Sequence, residues 1–84
     1  MVVKFTVHAI DQMPLRGIGR EEVIEALDRP RETIVTKGGR LASYALIEER
    51  YIVVVHEKGN GEDVGITAMK VNKRKLRRLG FTKI

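Results

Sequence analysis

His8, Gln12 and Arg16 recur at four-residue spacing near the start of this chain. On one continuous helix that spacing lays them on a single polar stripe, opposite Ile10 and Met13. Histidine gives and takes protons near neutral pH, and arginine clamps a phosphate with two parallel bonds. A base, an acid and a cation beside the phosphorus are what cleavage of RNA by its own 2′-hydroxyl requires. The same residues also fit a plainer arrangement, with His8 capping the helix start and Arg16 bonding its last carbonyls or a nearby acid. Pro14 interrupts the stripe, because its ring opposes the carbonyl of Ile10 and predicts a kink or an early helix end.

A second candidate region is the end of the chain. Of the 16 Lys and Arg residues, seven lie from Lys70 onward, together with none of the 11 acids. The net charge of +5 is therefore entirely C-terminal. Such a block faces nucleic acid or an acidic protein, or simply solvates a helix face. Lys73, Arg74 and Lys75 crowd the first turn of a short helix capped by Asn72, where the helix dipole disfavours cations. A bound phosphate would reverse that effect. Arg77 and Arg78 continue the same basic surface.

His56 and Tyr44 each have two readings. His56 ends a strand in line with Ile52 and Val54, either at a cleft on the sheet's rim or half-buried with a satisfied ring nitrogen. Tyr44 either stacks a base or packs in the sheet. With two His and no Cys, neither a dedicated metal site nor thiolate chemistry is expected, and no cofactor motif is present.

The element that must organise these groups is Tyr51–His56, whose four consecutive β-branched aliphatics read as an inner strand covered on both faces. Around it the chain of 84 residues reads as one α+β domain, residues 1–84. Val2–Phe5 is a short strand. A helix capped by Thr6 runs from Val7 to about Met13, and as far as Arg16 at most, with Ala9, Ile10 and Met13 apolar; Gly17 closes it. Gly19 opens a second helix whose buried stripe is Val23, Ile24, Ala26 and Leu27, ending at Asp28–Pro30. Strands follow at Thr33–Thr36, Leu41–Ile47, Tyr51–His56 and Val64–Met69, joined by turns at Gly38–Gly39, Glu48–Arg50 and Gly59–Glu62, as an antiparallel meander. A basic segment, 72–84, carries the last helix, anchored by Leu76 and Leu79, closed by Gly80, with Phe81 folded back. The apolar runs are too short to span a bilayer and no signal-peptide pattern is present, so a cytoplasmic location is expected. Abundant Lys, Arg and Glu resembles thermophile usage.

His8-Ala9-Ile10-Asp11-Gln12-Met13, Arg16-Gly17-Ile18, and Val23-Ile24-Glu25-Ala26-Leu27 with Pro30 resemble a family of small uncharacterised domains in the RelE/ParE toxin superfamily. The strand ending Met69-Lys70-Val71 and the tail Lys73-Arg74-Lys75-Leu76-Arg77-Arg78-Leu79-Gly80-Phe81 are similar as well. Members often carry Arg where this chain has Gln12. The resemblance implies a helical hairpin packed on a curled antiparallel sheet of four to five strands, with a short basic C-terminal helix. It implies a toxin-type RNA-binding domain that cleaves mRNA without metal in some branches, poisons gyrase in others and has no known activity in many. By that resemblance Lys70, Lys37 and Arg40 are further candidates for holding the RNA backbone. The expected catalytic set is His8, Arg16 and Lys70, and the binding set adds Lys37, Arg40, Lys73, Arg74, Arg77 and Arg78. Expected partners are RNA, on or off the ribosome, or an acidic antitoxin-like protein. A non-catalytic binding domain that pairs with such a partner is the alternative.

Overall fold

A computed structural model of the protein describes residues 3–59 and 61–84; Val2 of the expected first strand and Asn60, within the expected Gly59–Glu62 turn, lie outside the described residues. Eight elements follow in order: β1 (Val3–Phe5), α1 (Val7–Leu15), α2 (Arg20–Asp28), β2 (Glu32–Val35), β3 (Leu41–Ile47), β4 (Arg50–Lys58), β5 (Asp63–Val71) and α3 (Lys73–Leu79). The five strands form one sheet in the order β1-β5-β4-β3-β2.

β4 is the inner strand. Ile52, Val53 and Val54 are each 0% exposed, because they point alternately into two separate cores. Ile52 and Val54 meet Ala9, Met13, Ile18, Val23, Ala26 and Leu27 of the α1–α2 layer. Val53 meets Ala42, Tyr44, Leu76 and Phe81 on the other face, under α3 and the tail. The helical hairpin thus covers one face, as the sequence suggests, and α3 closes the other.

The sheet departs from expectation in one respect: it is mixed. β2 through β5 pair antiparallel, but β1 lies beside β5 in parallel, with Lys4 opposite Val64. Short turns enforce antiparallel pairing only between neighbours in sequence. β1 reaches β5 from far away, and its direction is set where it enters α1. There the Thr6 amide donates to the Gly65 carbonyl at 3.0 Å and the Thr6 hydroxyl to the Ile66 carbonyl at 3.3 Å. A strand of three residues carries too little pattern to announce this.

The helix ends obey local rules. Thr6 Oγ1 accepts the Ala9 amide at 3.1 Å, capping α1. Pro14 does not stop the helix at once; it runs on to Leu15. Gly17 then takes φ +66, with the Ile18 amide on the Met13 carbonyl and the Gly17 amide on that of Pro14. Gly80 closes α3 in the same manner, returning the Phe81 amide to the Leu76 carbonyl. Two apolar expectations fail: Ile10 is 45% and Ile24 40% exposed. Each stands one residue, about 100° of helix turn, from the stripe that its neighbours bury.

The β3–β4 turn has positive φ at both Glu48 (50°) and Glu49 (68°), a conformation that favours Asn and Gly. Glu49→Gly should therefore raise stability by about 1 kcal/mol, read as a higher urea midpoint at unchanged slope. Leu76→Ala should cost about 3 kcal/mol in the same assay, since α3 is part of the core rather than an appended tail.

Candidate nucleic-acid interface

The basic residues divide between the two ends and two faces of the sheet. α3 starts immediately beyond β5 and presents Lys73, Arg74, Arg77 and Arg78 to solvent. Its first turn is organised by Asn72, whose Oδ1 accepts the Lys75 amide at 2.8 Å. Leu76 and the half-buried Leu79 hold the inner face, so the cations have no direction but outward. Arg77 and Arg78 sit in the last turn, where the dipole favours them, and Lys73 and Arg74 in the first, where it does not. Among the described residues none of these four, nor Lys70, makes an ion pair.

Lys70 lies exposed near the end of β5, opposite Ile52. Its ammonium reaches over Gly17, 2.9 Å from where a Cβ on that glycine would stand. The cation thus sits at the carbonyl end of α1, which the dipole also favours. Arg16 points to the same region but is engaged: one Nη donates to the Ala68 carbonyl at 2.8 Å and to Thr67 Oγ1 at 3.0 Å. It fastens α1 to β5, which is the plainer of its two sequence readings with a strand in place of the helix's own carbonyls.

His8 is exposed in the first turn of α1. Eight residues of helix rise about 12 Å, so His8 and Arg16 stand at opposite ends of α1. The structure brings Arg16 and Lys70 together and leaves His8 apart.

Lys37 and Arg40 occupy the β2–β3 turn, at the end of the sheet away from Lys70. Lys37 is exposed, and Arg40 Nε pairs with Glu57 Oε1 at 2.9 Å. An exposed pair of this kind contributes about 0.5 kcal/mol, so Arg40 is restrained only lightly.

Tyr44 is not a stacking platform. It is fully buried, packs edge-on against Phe81 at 4.9 Å, and its hydroxyl donates to the Lys83 carbonyl. Burial pushes its hydroxyl pKa up. The tail is held a second time by Glu32, which accepts from the amides of Thr82 at 2.9 Å and Lys83 at 2.7 Å and from the Thr82 hydroxyl at 3.0 Å. The Lys83 amide bond, first among these, holds the Glu32 carboxyl below its usual range. His56 is buried within the sheet rather than at a rim cleft, with Ser43 on its Nε2. Sequence reading passed over Ser43, Asp63 and Glu32, whose partners lie on other strands or in the tail.

Among the described residues, no group of three or more His, Cys, Asp and Glu is placed to hold a metal, and no helix is long and apolar enough to cross a membrane. No family model matches the chain, and no curated protein matches it.

The placement of Arg16 and His8 separates structure from chemistry. Arg16→Ala should destabilise the fold by about 1 kcal/mol, whereas His8→Ala should stay within about 0.5 kcal/mol of wild type. Thermal melts of the two variants check this.

Proposed function

We propose that this protein is a RelE/ParE-type domain that binds the RNA backbone through α3 and the end of β5 without cleaving it. The observation that carries the reading is the exposed set Lys70, Lys73, Arg74, Arg77 and Arg78, unpaired among the described residues and all within one C-terminal stretch. Rigid presentation supports it, since Leu76 and Phe81 fix α3 on the core and the helix itself need not order on binding. Phosphates arriving there would relieve the repulsion among the cations and release counterions from the RNA. The separation of His8 from Arg16 and Lys70, and the engagement of the Arg16 guanidinium with β5, are why cleavage is left out.

Fluorescence anisotropy with a labelled single-stranded RNA across a salt series tests the reading. Wild type should bind with an affinity that falls steeply with salt. Replacing Lys73, Arg74, Arg77 and Arg78 together by Ala should flatten the slope of log affinity against log salt by about 0.7 for each phosphate the variant no longer neutralises. On a denaturing gel the RNA should stay intact, with or without ribosomes. Specific cleavage lost in His8→Ala would establish the nuclease reading instead. Absent RNA binding, with tight binding to an acidic protein, would make this a protein-pairing surface.

A further inference from the structure

From the middle of the sheet toward the end away from Lys70, four strands contribute one polar group each to a row. Thr33 Oγ1 of β2 lies 2.7 Å from Ser43 Oγ of β3. Ser43 Oγ lies 2.8 Å from His56 Nε2 of β4, and His56 Nδ1 lies 3.5 Å from Asp63 Oδ1 of β5. Ser43 is 1%, His56 4% and Asp63 9% exposed, whereas Thr33 is open to solvent. Among the described residues, His56 Nδ1 and Asp63 Oδ1 have no hydrogen-bond partner. The order Ser, His, Asp is that of a hydrolytic triad, but the Ser43 oxygen is buried and no substrate carbonyl could approach it.

The hydrogen-bond directions define what the chain can do. In the neutral tautomer that puts the imidazole proton on Nδ1, facing Asp63, Nε2 accepts from Ser43 and Ser43 can accept from Thr33. A second proton makes Nε2 a donor. Ser43 must then accept from Nε2 and turn its own proton to Thr33, so both hydroxyl bonds reverse while Nδ1–H still faces Asp63. β5 carries a bulge beside His56, with Val55 opposite Thr67 but His56 opposite Gly65.

We propose that His56 is an acid-sensitive latch, whose neutral ring completes a hydrogen-bonded chain through β2, β3 and β4 and whose protonation puts a charge into the buried sheet and loosens it there. Burial, the largest influence, holds the His56 pKa below 6.5; Asp63 opposes it and Lys58 adds to it. Of the other charges at this end, Arg40 pairs with Glu57 and Lys4 with Glu62, and Lys37 stands exposed in the β2–β3 turn. A histidine that protonates less readily folded than unfolded stabilises the fold fully above pH 6.5, and that stability is lost as the pH falls toward its folded value. On β5, Asp63 and Lys70 lie about 23 Å apart along the strand, and no residue of the latch belongs to the basic surface, so this inference stands whether or not the chain binds RNA.

The test is an NMR titration of both imidazoles in the whole chain, with amide protection factors followed from about pH 7.5 to about pH 5. The His56 midpoint should fall below 6.5. Protection at Ser43, Val55 and Gly65 should decline with it, by up to about tenfold per pH unit. Thermal melts of His56→Gln should start lower than wild type at about pH 7.5 yet stay flat over a range where wild type falls. Asp63→Asn, which removes the opposing carboxylate, should move the His56 midpoint further down. A His56 midpoint at or above 6.5, or protection that ignores its titration, would overturn the proposal without the variants.

Discussion

Burial of β4 on both faces is the constraint from which the architecture follows. A strand with one wet face needs a single covering layer, and the α1–α2 hairpin would suffice. Ile52, Val53 and Val54 leave no wet face, so a second layer must exist. The chain supplies it from its own end: α3 crosses under the sheet, Phe81 lies against Tyr44, and Glu32 with the Tyr44 hydroxyl anchors the last residues. The basic helix is therefore positioned by core packing, and its outward charges are a by-product of the apolar side it must bury.

Much of this was legible because it is local. The β-branched run in β4, the Thr6 and Asn72 caps, and the Gly17 and Gly80 closures each depend on a few adjacent residues. What was not legible is non-local. The parallel pairing of β1 with β5 joins segments about sixty residues apart, and nothing in Val3–Phe5 encodes a direction. Ile10 and Ile24 are apolar and helical, yet which flank of an amphipathic helix is buried depends on the sheet beneath it. The burial of Tyr44 depends likewise on a tail that arrives almost forty residues later.

The polar chain at His56 lies between these cases. A two-residue turn at Glu48–Glu49 pairs Ile47 with Arg50 and therefore Ser43 with Val54. Two residues further along the strand, His56 falls on the same face as Ser43. That much could be read from the turn. The arrival of Asp63 could not, because the β5 bulge shifts the register between Val55 and His56. Of the candidate site, the sequence pointed correctly to an exposed basic helix. It grouped His8 with Arg16 on helical spacing, and the structure places the two at opposite ends of α1 with the Arg16 guanidinium bonded to β5.

The pairing of β1 with β5 also orders events in time. β1 is the first strand to be made, yet its neighbour is the last, so every other strand must exist before β1 has an edge to join. The Thr6 bonds to Gly65 and Ile66 cannot form until then, and the α1–α2 hairpin has no completed surface to settle on. Assembly should begin in the β2–β5 meander, where contacts are short in sequence, and finish by recruiting the N-terminal strand. The domain thus behaves as a clasp, in which the earliest segment of the chain performs the final closing step.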